Sequence, residues 1–209
     1  MGPQNPCPPG QIGGRYAPLT NADVERIFDV ALDLLERLGM GEVPERLTQD
    51  LLAVGARQQG DRVVFPRELV RQAIGAAAKT FQFHGRDPAR TIEVGGDRVY
   101  FGTGGAAVQT LDLETGLYRP STLADLHDFT RLQDTLDNVS WYTRCCVATD
   151  LPDNFELDVN TAYALIRHTT KPVATSFTLA EYVAPIVEML DIAAGGDFAA
   201  RPFLMALIS

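Results

Sequence analysis

The strongest constraint on the fold is a regular alternation of helical and strand-like spacing in the C-terminal half of the chain. Apolar residues recur at helical spacing in three stretches, and a short apolar run of strand length follows each stretch. Such alternation is typical of an α/β fold, in which helices cover a parallel sheet. The predicted order is helix 122–136, strand 139–147, helix 157–168, strand 172–176, helix 180–194 and strand 202–208.

A glycine-rich segment precedes this alternation. Apolar residues 98–101 predict a strand that leads into the segment Gly102-Thr103-Gly104-Gly105. Because glycine lacks a Cβ, the backbone here can approach a ligand closely or bend tightly at the rim of the sheet, and the residues alone favour the bend. The glycine spacing departs from that of dinucleotide-binding loops, and no Lys-Ser or Lys-Thr pair follows it. A nucleotide site is therefore not predicted.

The N-terminal part of the chain predicts a separate helical unit. Residues 1–15 are rich in proline and glycine and lack apolar periodicity, which predicts an extended arm. Residues 16–89 carry three stretches with helical spacing and a short strand at 62–65, and a turn at 85–89 marks the predicted boundary. The three helices begin at residues that favour a helix start, Thr20, Pro44 and Pro66.

Residues 90–209 form the second predicted domain. It opens with a predicted hairpin of strands 91–94 and 98–101 around a Gly-Gly turn. It closes with residues 202–208, an uninterrupted apolar run that predicts a strand buried on both faces. Such a strand needs neighbours on each side and a covering helix, so we expect the chain to be the N-terminal portion of a longer open reading frame or a truncated gene product.

Charge and composition argue against several classes of protein. The formal net charge is -9 and the 18 Lys and Arg residues are scattered, whereas nucleic-acid binding needs clustered cations, so no nucleic-acid partner is predicted. Three cysteines do not form the even, spaced framework of secreted disulfide proteins. The N-terminus lacks a signal-peptide pattern, and no apolar run reaches the roughly 18 residues of a membrane span. The predicted location is the cytoplasm, without membrane association.

The histidines and cysteines do not predict a metal site. His84, His127 and His168 lie far apart in the sequence, without a carboxylate or thiol at ligand spacing. Cys145 and Cys146 lie on a predicted strand, where successive side chains point to opposite faces, so the two thiols should not bind one metal together. Both are predicted to be core thiols, because a nucleophilic role would need a neighbouring base.

Several motifs, in one order along the chain, resemble the start of the trimethylamine methyltransferase family. The resemblance covers residues 15–209 and somewhat under half of a full family member. The motifs that carry it are FGTGG at 101–105, LDLETG at 111–116, RPSTLAD at 119–125, DLP at 150–152, RHTTKP at 167–172 and RPF at 201–203.

The resemblance implies a (β/α)8 TIM barrel, of which this chain carries the first half after the N-terminal helical unit. It also implies transfer of a methyl group from a methylated or quaternary amine, such as trimethylamine or glycine betaine, to the cobalt of a separate corrinoid protein. The implied partners are that corrinoid protein and the small methylated amine, while the chain itself binds no cofactor directly. The catalytic residues are expected in the C-terminal half of the barrel, and self-association stays open.

In a parallel barrel the active site lies at the carboxyl ends of the strands. A structural ion pair is the commoner explanation for Arg144, a strand cation, and for Asp150, an acidic residue at a strand end. Strand aromatics such as Trp141 and Tyr142 suggest either a cage for a quaternary ammonium or plain core. The residues predicted to face substrate or corrinoid are Gly102, Thr103, Gly104, Gly105, Arg144, Asp150, Ser176 and Phe177.

Two other functions stay open. The apolar run 202–208, as an exposed edge strand, would suit a non-catalytic truncated barrel or one half of a split enzyme that acts as an interaction module. An unrelated barrel enzyme that uses Cys145 or Cys146 as a nucleophile is the third alternative.

Overall fold

The computed structural model of the protein describes residues 11–12 and 16–207. The chain divides into two compact units, one within Gly14–Lys79 and one within Thr80–Ser209, to which the first strand also belongs. The helices are α1 (Asn21–Arg37), α2 (Glu45–Ala53), α3 (Arg67–Ala76), α4 (Leu123–Asp134), α5 (Asn154–His168) and α6 (Val183–Ala194). The strands are β1 (Gln11–Ile12), β2 (Met40–Gly41), β3 (Arg57–Gln59), β4 (Arg62–Val64), β5 (Thr80–Phe83), β6 (Ile92–Gly95), β7 (Arg98–Val99), β8 (Gln109–Leu111), β9 (Tyr118–Pro120), β10 (Tyr142–Thr143), β11 (Val173–Ser176) and β12 (Leu204–Leu207).

The smaller unit contains the three predicted helices, α1 to α3. A capping box begins α1, because the Asp23 amide donates to Thr20 Oγ1 at 3.2 Å and the Thr20 amide donates to the Asp23 carboxylate at 3.1 Å. Pro44 and Pro66 stand immediately before α2 and α3. The predicted strand at 62–65 is β4, the centre of an antiparallel sheet with the order β2-β4-β3.

The larger unit contains the predicted alternation of helices and parallel strands. The strands β10, β11 and β12 form one parallel sheet in that order, and α5 and α6 connect them. Two isolated parallel bridges, Gly102 to Trp141 and Ala107 to Cys146, join the glycine-rich segment to the residues that flank β10. The buried core between this sheet and the helices comprises Leu126, Tyr142, Cys146, Ala162, Ala164, Leu165, Ile166, Val173, Ile186, Leu190 and Phe203. The α/β class is therefore confirmed.

Strand pairing before the parallel sheet differs from the prediction. The predicted hairpin of 91–94 with 98–101 is wrong, because β6 pairs with β5 and β7 pairs with β1. Phe83 and Ile92 lie opposite each other in the β5–β6 pair and share a small buried cluster, so apolar packing favours this pairing. The predicted turn at 85–89 lies between β5 and β6, within the larger unit.

Two predicted strands are shorter than expected. Only Tyr142 and Thr143 of the predicted strand 139–147 form β10, because the flanking residues Trp141 and Cys146 make only isolated bridges, to Gly102 and Ala107. The strand predicted at 98–101 contributes β7, which is antiparallel to β1 and not part of the parallel sheet. Of the predicted arm 1–15, residues 11–12 form β1 and the remainder lies outside the described residues.

Within the described residues, which end at residue 207, the last strand β12 forms one edge of the parallel sheet. Phe203 is buried beside it, but Met205 is 37% exposed, so the prediction of burial on both faces is wrong within the described chain. Residues 208 and 209 of the predicted run lie outside the described residues. The sheets in the described part of the chain are small and none closes on itself, so the half barrel stays a prediction.

Candidate functional site

The carboxyl ends of β10 and β11 bring two predicted site residues together. Arg144 follows β10 directly, and its amide donates to the Ala174 carbonyl at 3.2 Å, which fixes its backbone against β11. The Arg144 guanidinium donates through Nη2 to Ser176 Oγ at 2.8 Å. Val173 belongs to the core beneath the helices, and side chains alternate along a strand, so Ser176 faces away from that core. Arg144 and Ser176 are called the Arg144 pair below.

The Arg144 guanidinium is half-buried, and this burial lowers its pKa from the usual value. The charge of Asp158 acts in the opposite direction, but no carboxylate within the described residues lies within 4.0 Å of the guanidinium. The ion pair that the sequence favoured for Arg144 is therefore not formed inside residues 16–207. Its described side-chain partner is a neutral hydroxyl.

Asp158 fixes the loop that follows β11. It lies on α5 with 1% of its surface exposed, and its Oδ2 accepts from the amide and the hydroxyl of Thr178, each at 2.7 Å. Its Oδ1 is buried and has no hydrogen-bond partner among the described residues. A buried carboxylate oxygen without a donor is costly, so this atom marks incomplete hydrogen bonding near the Arg144 pair.

The glycine-rich segment packs along β10. Thr103 Oγ1 donates to the Thr143 carbonyl at 2.8 Å and accepts from the Thr143 amide at 3.0 Å. The Thr103 side chain thus makes the hydrogen bonds to Thr143 that the backbone of a neighbouring strand would otherwise make. A Cβ at Gly102 would overlap the Trp141 indole ring, whereas a Cβ at Gly104 would meet no atom within 4 Å. Gly105 has φ +114°, which favours glycine. Gly104 is therefore the open position of the segment.

The contacts of Asp150 and Phe177 are with other parts of the larger unit. Asp150 Oδ1 accepts from the Leu123 amide at 2.9 Å, at the first turn of α4. Phe177 is half-buried and packs against the main core cluster. Thus the structure brings Arg144 and Ser176 together and places Gly102 to Gly105 beside β10. The predicted role of these residues in facing substrate or corrinoid stays a prediction.

A cavity of about 650 Å³, which no sequence motif predicted, lies between the β8–β9 hairpin and α4. Both Cys145 and Cys146 line it, so the expectation that their side chains point to opposite faces is wrong. The reason is that both residues lie beyond the end of β10, where the backbone no longer alternates regularly. The Cys145 thiol lies 3.2 Å from Tyr142 Oη.

The two thiols have different acidities. A hydrogen bond with Cys146 is the main cause that lowers the pKa of Cys145 to about 7. The same hydrogen bond, followed by burial, raises the pKa of Cys146 far above its usual range. Cys145 is thus the more reactive thiol, because the thiolate is the nucleophilic form. No group of three or more His, Cys, Asp or Glu side chains in the described ranges is placed to hold a metal.

The amino end of the parallel sheet has a second polar cluster. Lys171, just before β11, is only 2% exposed, and its Nζ donates to the carbonyls of Gln133 at 2.7 Å and Leu136 at 2.8 Å. The Asp134 carboxylate accepts from Thr169 Oγ1 at 2.7 Å and pairs with Arg90. These groups tie the C-terminal end of α4 to the segment that leads into β11.

Comparison with known proteins gives a consistent set of relatives. The family model for trimethylamine methyltransferase (MTTB) matches residues 6–209. A glycine betaine methyltransferase of Desulfitobacterium hafniense (strain Y51) is 27% identical over 203 residues, which are 96% of this chain and 42% of that protein. The trimethylamine methyltransferase MttB of Desulfitobacterium hafniense (strain DSM 10664 / DCB-2) is 27% identical over 187 residues, which are 88% of this chain and 38% of that protein. The chain thus spans less than half the length of these relatives.

Proposed function

Because the chain belongs to the trimethylamine methyltransferase family, we propose that the protein transfers a methyl group from a methylated or quaternary amine to the cobalt of a corrinoid carried by a partner protein. The relatives are more than twice as long, so the proposal concerns the protein encoded by the complete gene. The observation that carries it is the Arg144 pair, which lies at the carboxyl ends of two neighbouring parallel strands. Barrel enzymes build their active sites at this end.

The proposed fold follows from the same strands. In the described residues β10, β11 and β12 are neighbours in chain order, with helices in the connections, as consecutive strands of an α/β barrel are. The bridges to the glycine-rich segment at Gly102 and Ala107 would place the first barrel strand beside β10. We propose that these elements form the first part of an eight-stranded barrel.

The chemistry requires positioning more than a protein nucleophile. A methyl group on nitrogen is a poor electrophile, so the protein must hold it in line with the acceptor and exclude water. A quaternary amine that loses a methyl cation leaves as a neutral tertiary amine, and this step needs no proton from the protein. The corrinoid, when its carrier docks, supplies the nucleophilic metal. The residues of this chain would orient the amine, and Gly104 would leave room for close approach.

The test uses the protein from the complete gene with reduced cobalamin as the acceptor probe. Trimethylamine and glycine betaine are supplied separately, and the demethylated amine is measured by mass spectrometry together with the absorbance of the corrinoid. We expect demethylated product that depends on both protein and reduced corrinoid. Failure to demethylate either amine, with reduced cobalamin or with a corrinoid protein from the same genome, would contradict the proposal.

The exposed edge of the parallel sheet favours a second candidate function. β12 has no strand partner beyond β11 in the described chain, and Met205 on it is 37% exposed. An unpaired edge is a template for pairing with another chain. One half of a two-chain enzyme would use it in this way. Co-expression with the reading frame downstream would then recover a stoichiometric complex, whereas an uncomplexed chain would contradict this candidate.

A further inference from the structure

We infer that the amine bound at this site carries a carboxylate, and that Arg144 is the residue that binds this carboxylate. The inference rests on the proposed function, because it assigns a substrate class to the same site. A betaine, in which a quaternary ammonium and a carboxylate share one small molecule, has the required chemistry. Trimethylamine does not, because it has no anionic group for a guanidinium to bind.

The partners of other arginines in this unit provide the first argument. Arg90 pairs with the Asp134 carboxylate, and Arg119 forms a bidentate pair with Asp125 at 2.7 Å and 2.8 Å. Arg144 is half-buried, but no described carboxylate lies within 4.0 Å of it, and Arg86, which also lacks a described carboxylate, donates to the Thr169 carbonyl. A desolvated guanidinium is costly unless an anion completes its hydrogen bonds. A carboxylate from a ligand would supply what Arg90 and Arg119 obtain from the protein.

The geometry of the Arg144 pair provides the second argument. A guanidinium has five N–H donors in a planar fork that suits a carboxylate, and among the described residues only the bond from Nη2 to Ser176 Oγ is directed to a side chain. Because the Ser176 oxygen accepts this bond, its own hydroxyl proton stays available to a further acceptor. Guanidinium and hydroxyl can therefore donate to the same carboxylate.

Position in the sheet provides the third argument. Arg144 directly follows β10 and Ser176 is the last residue of β11, and these two strands are adjacent and parallel. Ser176 faces away from the helix-covered core. Asp158, held by two hydrogen bonds from Thr178, fixes the loop after β11 and is a positioning residue for Ser176. The Arg144 pair would thus lie where the substrate of a barrel enzyme binds, and not on an outer surface.

The experiment compares three ligands by isothermal titration calorimetry with the protein from the complete gene. Glycine betaine carries both charges, choline keeps the quaternary ammonium but has a hydroxyl in place of the carboxylate, and acetate carries only the carboxylate. We expect glycine betaine to bind at least about 10-fold more tightly than choline or acetate, because a charge-assisted bidentate bond adds to the binding of the ammonium group.

The variant Arg144→Gln should weaken glycine betaine binding by about 10-fold to 100-fold and leave choline binding unchanged. Arg131→Gln is the matched control, because it removes the same charge from an exposed pair with Asp128 on α4. Arg144→Lys should restore part of the loss, since a lysine keeps the charge without the fork. Thermal melts identify a variant that fails to fold, and Ser176→Ala, with an expected loss of about 3-fold to 10-fold, then takes its place.

Three results of the comparison of ligands and variants would overturn the inference: equal affinity for glycine betaine and choline, unchanged glycine betaine binding in Arg144→Gln, or acetate binding as tight as that of glycine betaine. Demethylation of trimethylamine without any binding of glycine betaine would overturn it and leave the proposed function standing. Arg144-dependent binding of glycine betaine without methyl transfer to any corrinoid would support the carboxylate site and reject the proposed function.

Discussion

At the amino end of the parallel sheet Lys171 and Asp134 find partners within the chain, whereas at the carboxyl end Arg144 has no carboxylate partner among the described residues. Lys171 donates to two carbonyls at the end of α4, and Asp134 binds both Thr169 and Arg90. At the carboxyl end Arg144 donates to a neutral hydroxyl, and the buried Asp158 Oδ1 has no hydrogen-bond donor in the described residues.

The difference separates stability from binding. Buried polar groups that are fully paired hold a fold together, and those that stay unpaired cost free energy unless a ligand or another segment completes them. In α/β barrels the amino end of the strands serves stability and the carboxyl end serves function. The proposed function assigns the same division to the two ends of this small sheet. Substitutions at the two ends should therefore have opposite effects on stability and activity.

The largest effect is expected on activity, at the carboxyl side of the glycine-rich segment. Gly104→Val should abolish methyl transfer to reduced cobalamin by the protein from the complete gene, with at least about a 100-fold loss, because bulk would block close approach. Its thermal stability should change little, since a Cβ there meets no atom within 4 Å. A variant that melts many degrees lower would assign Gly104 to packing, and one that turns over normally would remove it from the site.

The next largest effect is on stability, at the amino end. Lys171→Met removes the buried donor of the Gln133 and Leu136 carbonyls and should lower the free energy of unfolding by about 2–4 kcal/mol. The matched variant Arg144→Met should cost less than about 1 kcal/mol, since it also removes a poorly paired, desolvated cation. Urea unfolding measures both. Equal losses from the two variants would contradict the contrast between the two ends.

A smaller loss of stability is expected beside β10. Gly102→Ala introduces a Cβ that would overlap the Trp141 indole, and overpacking of this kind costs about 1–3 kcal/mol. Gly104→Ala, two positions later, is the matched control and should be nearly neutral. The denaturant midpoints of the two variants show whether Gly102 is needed for packing while Gly104, in the same short segment, is not. A neutral Gly102→Ala would show that the indole can move aside.

Local signals in the sequence predicted the helices correctly, and long-range pairing was the source of error. Capping boxes at Thr20 and Thr122 depend on residues three positions apart, so they can be recognised without the fold. The pairing of β5 with β6 depends on Phe83 meeting Ile92 in a buried cluster, which spacing does not encode. The hairpin prediction failed because it assumed that the nearest strand is the partner.

The candidate site was predictable in position but not in bonding. The predicted strand end identified Ser176, because a parallel sheet brings its carboxyl ends to one edge, whereas Arg144 was predicted as a cation within strand 139–147. That Arg144 lacks a carboxylate partner within the described chain depends on the distances to Asp158 and its neighbours, which no motif contains. The prediction that Cys145 and Cys146 point to opposite faces failed for a related reason. Side chains alternate between faces only while the backbone remains a regular strand.

The smallest expected effect concerns the acidity of Cys145. Its pKa of about 7 implies that about half of the folded molecules carry the thiolate at pH 7, compared with a few per cent for an ordinary thiol. The pKa is lowered, so the reactive thiolate is present above about pH 7 and is lost as the pH falls through that value. The rate of iodoacetamide alkylation at Cys145, measured by peptide mass spectrometry, should follow this titration.

Cys146→Ala tests the cause of that acidity. Removing the Cys146 thiol eliminates the hydrogen bond that is the main cause of the lowered pKa, so the alkylation midpoint should move towards the usual thiol value. The thiols line a cavity beside α4 and are not part of the Arg144 pair, so the same variant should leave glycine betaine binding unchanged. If the variant lost glycine betaine affinity, the cavity and the carboxyl end of the sheet would be coupled, and binding could no longer be assigned to the carboxyl end alone.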